Sequence, residues 1–268
     1  MPLLQSQHEG FTFAYLYSFA NNILLNPIFA ISVLIGSLAI LTNQLVFPFL
    51  TNNFDVEASK LSLSFAFLFG ILYKSNQLLS RLALNNYVRD PSWDWTREIV
   101  LVTGGSSGIG KAIVRHFADK SIKVVILDQH LPELPPSIGA TFYKVDITSS
   151  KEIGEAALKI RREVGEPTVL INNAGIGSSS SILEESDEQT MRVLETNLLA
   201  HFKLVREFLP YMIEHNHGHV VTVASMASFA SMVKNASYAA SKAGVQAFHE
   251  SLAQEVHSLH HASRVRTS

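Results

Sequence analysis

The stretch Ile99-Val100-Leu101-Val102-Thr103-Gly104-Gly105-Ser106-Ser107-Gly108-Ile109-Gly110 decides the fold. Four apolar residues, three of them β-branched, run straight into a glycine-rich turn, and residues 111–119 follow with helix-like spacing. A strand that passes through glycines into a helix lets the backbone approach a pyrophosphate closely, with the first N–H groups and the positive dipole end of the helix directed at it. Two nucleotide readings compete. Gly105 to Gly110 followed by Lys111 nearly spells the phosphate loop of an NTPase, but position 112 is Ala112, where that motif needs a Ser or Thr hydroxyl for Mg²⁺. The dinucleotide reading needs an acid at the end of the next strand. Asp128 stands there, closing Val124-Val125-Ile126-Leu127, where it can accept hydrogen bonds from an adenosine ribose. A carboxylate in that place repels a 2′-phosphate, so the expected cofactor is NAD and not NADP.

Downstream, short β-branched runs alternate with helical patterns. Strands are expected over 99–103, 123–127, 141–145, 168–171 and 219–223, with helices beginning near Gly110, Ser150, Asp187 and Ser237. Such alternation predicts βαβ units and an α/β fold with a doubly wound parallel sheet. Upstream the texture differs. Residues 1–90 carry only eight charged side chains, leaving 36 of the 44 for the part after Asp90, and residues 10–54 carry none. The apolar stretch 23–42 reaches about 30 Å as a helix, one hydrocarbon core, whereas the shorter run 61–73, bracketed by Lys60 and Lys74, reads as a re-entrant or interfacial segment. The expected organisation is a membrane-anchoring region over 1–90 and a nucleotide-binding domain over 91–268. Lys60, Lys74, Arg81 and Arg89 all follow the longer apolar stretch, which places the second domain on the cytosolic side. Twenty-one Lys and Arg against 23 Asp and Glu give a net charge of −2, which speaks against nucleic acid as a partner. With no cysteine there is neither a disulfide framework nor a thiolate nucleophile or metal site. His215, His217 and His219 alternate along a polar turn with no carboxylate among them, so no metal is expected.

Three motifs in order, Thr103-Gly-x-x-x-Gly108-x-Gly110, Asn172-Asn173-Ala174-Gly175 and Tyr238-x-x-x-Lys242, resemble the signatures of the short-chain dehydrogenase/reductase family, and the resemblance runs from about residue 97 to the end. It implies hydride transfer between NAD and an alcohol or carbonyl. It also implies cofactor contacts from Gly104, Ser106, Ser107, Gly108, Ile109, Gly110, Asp128, Asp146, Ile147, Asn173, Ala174, Gly175, Tyr238 and Lys242. Tyr238 and Lys242 are four apart and share a helix face, where the ammonium favours departure of the phenol proton. The resemblance assigns Ser225, by its spacing from Tyr238, to polarising the substrate oxygen in preference to Ser228, and Asn197 to a water-mediated proton relay behind the lysine.

The apolar N-terminal region is similar to that of membrane-associated members acting on retinoids or hydroxysteroids. The implied substrate is a lipophilic alcohol or ketone (retinoid, steroid or fatty alcohol), and the implied site a membrane, either endoplasmic reticulum or lipid droplet. A homodimer fits this reading. The family also leads one to expect two strands and a Pro-Gly turn after the Tyr-x-x-x-Lys helix. The sequence ends at Ser268, and no proline follows Lys242. Residues 263–268 read as the start of a sixth strand, so the sheet is expected to lack its last strands, to leave strand five as an open edge, and to support little turnover. The alternative reading is a catalytically impaired membrane-bound nucleotide-binding or interaction protein.

Overall fold

A computed structural model describes residues 56–84, 87, 88, 90–133 and 139–268. The chain divides into two units, Met1–Ala83 and Leu84–Ser268. The described part of the first is α1, Val56–Leu84. The run 61–73, expected as a separate interfacial segment, is instead the middle of this 29-residue helix, because good helix formers continue the pattern on both sides of Lys60 and Lys74. Phe65, Leu68, Leu72 and Leu79 are exposed on it, and their spacing of three, four and seven puts them on one helix face. Glu57, Lys60, Lys74 and Arg81 interrupt its apolar character. Among the described residues no helix is long and apolar enough to cross a membrane. The stretch 23–42, for which the sequence pattern predicts a membrane span, lies outside the described residues.

The second unit is built on β1 (Ile99–Thr103), β2 (Lys123–Asp128), β3 (Ala140–Lys144), β4 (Val169–Asn172), β5 (Gly218–Thr222) and β6 (Val265–Thr267). They form one sheet in the order β3-β2-β1-β4-β5-β6, parallel throughout. The chain winds outward from β1 in one direction and from β4 in the other, so the switch point of this doubly wound sheet falls between those two strands. Helix α2 (Gly108–Ala118) contributes Val114 to the core on one face, with Val100, Val102, Val124, Ile126, Val169 and Ile171. On the other face α3 (Ser150–Glu163), α5 (Ala200–Glu214) and α6 (Ala236–Gln254) pack residues such as Ile153, Leu204, Phe208 and Leu252 against Leu101, Leu127 and Leu170. Burial on both faces is why the central strands read as unbroken apolar runs.

Local chemistry sets the element ends. Gly108, at φ +51, turns the chain into α2 two residues earlier than expected, a backbone state that favours glycine. The Ser149 hydroxyl accepts from the Glu152 amide at the start of α3, and Ser186 with Gln189 forms a capping box for α4 (Asp187–Leu194). A π-turn over Glu195–Leu199 links α4 to α5. The expected open edge at β5 is closed. Val265, Arg266 and Thr267 pair with Gly218, His219 and Val220, and the Ser268 carbonyl accepts from the Thr222 amide at 2.7 Å. Three residues suffice because Val265, fully buried, anchors β6 in the core.

His201 of α5 is buried, and burial together with the nearby Lys242 ammonium pushes its pKa down to about 3. The unfolded chain therefore binds a proton below about pH 6.5 that the fold refuses. The stability is complete above about pH 6.5 and is lost as pH falls toward 3. Unfolding free energies from urea titrations between about pH 6 and pH 4.5 should fall by about 1.4 kcal/mol per pH unit on this account, and the slope should lessen in His201→Gln.

Candidate active site

Every strand from β1 to β5 delivers residues of the site at its carboxyl end. Thr103 ends β1, Asp128 ends β2, Asp146 lies just past β3, Asn173-Ala174-Gly175 follows β4 and Ser225 follows β5. This is the edge at which doubly wound sheets bind ligands.

The glycine turn and the segment after β4 are fastened to each other. The Thr103 hydroxyl accepts from the amides of Asn173 and Ala174, both at 3.0 Å. Asn173 Nδ2 donates to the carbonyls of Thr103 at 2.9 Å and Gly104 at 3.2 Å. Gly104 has φ +66, and a Cβ on it would stand 2.9 Å from the Ala174 Cα. Gly110 is tighter still, since its Cβ would meet the Gly104 carbonyl oxygen at 2.1 Å. Gly108, by contrast, has open space where a side chain would stand. Ser107, Gly108 and Ile109 are exposed at the mouth of α2, and its N-cap residue Ser107 makes no side-chain capping bond. The Asp128 carboxylate takes the Ser106 amide on Oδ2 and the His130 amide on Oδ1, each at 3.0 Å. A carboxylate offers about four acceptor positions, which leaves room for ribose hydroxyls. Ser106 Oγ is committed to the His130 carbonyl, so Ser106 braces the loop. Ser107, Gly108, Lys111, Asp128 and His130 line a cleft of ≈ 360 Å³. The turn, the open helix start and the acid at the strand end together fit the adenosine and pyrophosphate portion of a dinucleotide. Ile147 is buried, as an apolar support. Asp146 Oδ1 accepts from the Thr148 amide and hydroxyl. Although burial pulls its pKa upward, these bonds and the Lys203 charge hold the carboxyl below its ordinary value.

The second cluster gathers around α6. Lys242 is 4% exposed. Its Nζ donates to the Val223 carbonyl at 2.7 Å and lies 5.8 Å from the centre of the Tyr238 ring. Burial lowers the lysine's pKa. Asn197 sits in the π-turn, a distortion that often marks functional positions. Its Oδ1 accepts from the Ile176 amide at 2.8 Å, and its Nδ2 donates to the Ile176 carbonyl and to Ser241 Oγ. A Cβ on Gly175 would lie 3.2 Å from Asn197 Oδ1 and 3.7 Å from Lys242 Nζ, so the glycine lets these two groups close on the segment after β4. Ser225 stands two residues beyond the carbonyl that Lys242 binds, and its Oγ accepts from the Ala227 amide. The competing Ser228 is committed elsewhere, donating to the Lys242 carbonyl at 2.9 Å. The structure thus brings Asn197, Tyr238 and Lys242 together beside Gly175, with Ser225 on the adjoining strand exit.

The family model described as short chain dehydrogenase matches residues 98–265. The chain belongs to the short chain dehydrogenase family. It is 49% identical over 192 residues to Dehydrogenase RED2 of Cochliobolus heterostrophus, covering 71% of this chain and 72% of that one. It is 36% identical over 172 residues to human estradiol 17-beta-dehydrogenase 11, covering 61% of this chain and 57% of the relative. Among solved structures, 4-hydroxyisoleucine dehydrogenase complexed with NADH superposes with a TM-score of 0.58 at 29% identity, over 63% of this chain and 72% of that one. A metagenomic short-chain oxidoreductase in complex with NADP superposes with a TM-score of 0.60 at 28% identity, over 65% and 80%.

Several residues that hold this family site together escape a reading of the sequence. Thr103 enters its motif only as the first letter. Ser241 supports Asn197, and Glu185 Oε1 accepts from both Ser178 and Ser237 at 2.7 Å, tying the loop after β4 to the start of α6. His217 lies between Asp90 at 2.7 Å and Glu98 at 3.1 Å, so the carboxylates absent from its sequence neighbourhood arrive from the strap before β1. His219 contacts Ser268 and His215 contacts the Tyr211 carbonyl, so the three histidines do not converge. Serine and threonine hydroxyls next to the motifs are the one signal the sequence carries for these contacts.

Crowding at the glycine turn should order the effects of substitution. Gly110→Ala is expected to destabilise the domain by about 1–3 kcal/mol and to abolish NAD binding, because the backbone carbonyl of Gly104 must move. Gly108→Ala should cost less, about 1–2 kcal/mol from its backbone conformation alone. Thermal melts and NAD titration of the two variants side by side test this order.

Proposed function

We propose that this member of the family is an NAD-dependent oxidoreductase that interconverts a lipophilic secondary or allylic alcohol and its carbonyl at a membrane surface. The observation that carries this reading is the buried Lys242 ammonium held by the Val223 carbonyl beside Tyr238, one glycine away from Asn197. Bound NAD supplies the hydride acceptor for alcohol oxidation. Asp128 receives the adenosine ribose hydroxyls, Asp146 borders the adenine, and Gly104, Gly108, Gly110 and the start of α2 receive the pyrophosphate. Asn173, Ala174 and Gly175 form the floor toward the nicotinamide. Ser225 Oγ donates a hydrogen bond to the substrate oxygen and orients it. Tyr238 Oη takes the hydroxyl proton in oxidation and returns it in reduction, and Lys242 favours the deprotonated phenol through its charge. Asn197 holds the segment after β4 in place behind the lysine.

The lipophilic substrate is supported by the rim of the site. Met226, Phe229, Met232 and Val233, between Ser225 and Tyr238, are exposed, as are Ile182 and Leu183 on the loop that Glu185 fastens to α6. The name of the estradiol dehydrogenase relative points the same way. Membrane association is supported by the charge-free residues 10–54 and by the exposed Phe and Leu face of α1.

Two measurements test the reading. Tyr238→Phe should lower kcat by about 10² to 10⁴-fold in an NAD-reduction assay over retinoid, steroid and fatty alcohols, with NAD affinity nearly unchanged. A variant within threefold of the parent overturns the role of the phenol. Asp128→Asn should narrow the preference for NAD over NADP by roughly tenfold, about 1.4 kcal/mol, as read by fluorescence titration with each dinucleotide. Equal affinities in the unmodified protein overturn the assignment of NAD.

A further inference from the structure

The layer between the sheet and α5 contains polar groups that no described protein atom satisfies. Both ring nitrogens of His201, the Asn172 amide and the Thr222 hydroxyl are buried without a hydrogen-bond partner. Asn172 and Thr222 are register partners across β4 and β5. By strand alternation they share the sheet face of Leu170 and Val220, which packs against Leu204 and Phe208 of α5. His201 lies one helical turn before Leu204 on that helix and four positions beyond Asn197. Its ring is 5.9 Å from that of Phe248 on α6, and the Lys242 charge acts on it from the same helix. Among the described residues Lys242 is the one charge that acts on the ring, and the polar side chains facing this layer from β4 and β5 are neutral.

A buried donor or acceptor left without a partner costs about 1–3 kcal/mol. Here an amide, a hydroxyl and an imidazole with one donor and one acceptor are in that position together. Buried water, making two to four hydrogen bonds to such groups, is the usual remedy, and an apolar cavity would offer it none. We propose that Asn172, Thr222 and His201 enclose a buried water site behind Lys242, and that His201 is a positioning residue holding this water where it solvates the lysine ammonium.

The site gives Lys242 polar surroundings on the side away from Tyr238. Its Nζ has three protons to place. One goes to the Val223 carbonyl, and the water accepts another. A neutral imidazole suits the position, since it offers the water both a donor and an acceptor while adding no charge beside the ammonium. The consequence for turnover rests on the oxidoreductase reading above, whereas the water site itself does not.

The test uses the full chain and two readouts that need no turnover. A crystal structure at a resolution that defines individual waters should show one within hydrogen-bond distance of a His201 ring nitrogen and of Asn172 or Thr222. His201→Phe should expel it and His201→Gln should keep it. In protein labelled with ¹³C at lysine Cε, with the Lys242 resonance assigned by its absence in Lys242→Met, the titration midpoint should drop by at least about half a pH unit in His201→Phe, about 0.7 kcal/mol. It should return toward the parent value in His201→Gln. If the Phe variant does not fold, Thr222→Val removes one partner of the water at nearly constant volume and should move the midpoint in the same direction. A dry layer, direct bonding among the three side chains, or an unchanged Lys242 midpoint in a folded His201→Phe or Thr222→Val overturns the proposal. Absence of turnover in the unmodified protein counts against the oxidoreductase reading alone.

Discussion

The architecture of this domain depends on the threonine that ends its first strand. Thr103 is buried at the switch point between β1 and β4, and its hydroxyl accepts from two successive backbone amides, Asn173 and Ala174. Without it, both N–H groups would lie at the end of a buried strand with no acceptor, at about 1–3 kcal/mol each. Asn173 in turn donates to the Thr103 and Gly104 carbonyls. The glycine turn and the floor of the site are therefore one rigid piece. From that piece the constraint passes to Gly175 and Ile176, then to Asn197, which grips Ile176 through both amide atoms, and on to Ser241 of α6. The helix bearing Tyr238 and Lys242 is thus positioned by a continuous path from the glycine turn. Precise placement of reacting groups is worth several orders of magnitude in rate, and here it is obtained from short polar contacts among backbone segments that cannot move independently.

A buried lysine is the unfavourable element in this arrangement. Removing an ammonium from water is costly, and burial accordingly lowers the pKa of Lys242. Among the described residues no carboxylate offsets it in a direct ion pair; it is held by a carbonyl. A carboxylate there would bind the ammonium firmly and cancel its field at the phenol. A neutral carbonyl holds the lysine in place while leaving its charge available to Tyr238. The same logic explains the neutral side chains around His201, where a second charge would compete with the first.

Much of this was legible because the strands and the three motifs are local. Apolar runs bounded by glycine and aspartate identify β1 and β2 to within one residue, and the sequence pattern places Asp128 at the strand end where it is found. The strand expected over 219–223 is displaced by one residue because Gly218, at φ +157, adopts a backbone state open to glycine and begins the ladder before the β-branched run. What could not be read are pairings over long sequence separations. Glu185 binds Ser237 across 52 residues and His217 binds Asp90 across 127. Neither leaves a periodicity in the chain. The sixth strand is a similar case. Arg266 and Thr267 have no strong strand signature, and β6 forms because Val265 finds a buried place and β5 offers unpaired backbone. Tertiary context, more than local propensity, makes it a strand.

The contrast between rim and interior completes the physical account. The candidate reacting side chains lie among hydroxyls and amides largely committed to the fold, while the segments that enclose them expose Met226, Phe229, Met232, Val233, Ile182 and Leu183. Apolar side chains on loops cost stability in water unless something covers them, and contiguous patches of this kind mark interaction sites. Methionine suits such a rim because its flexible, polarizable side chain adapts to varied apolar shapes. Glu185 fixes the two loops relative to each other through Ser178 and Ser237. The rim is therefore adaptable in its side chains but anchored in its backbone. An apolar body can be gathered there by area burial alone, at about 25 cal/mol per Å², without any contact that depends on its detailed shape. Selection of the reacting alcohol then falls to the few polar groups below, Ser225 and Tyr238, which can accept only an oxygen brought to the right depth. Affinity and chemistry are in this way assigned to different layers of one site, and the loop from Ser225 to Tyr238 contributes to both.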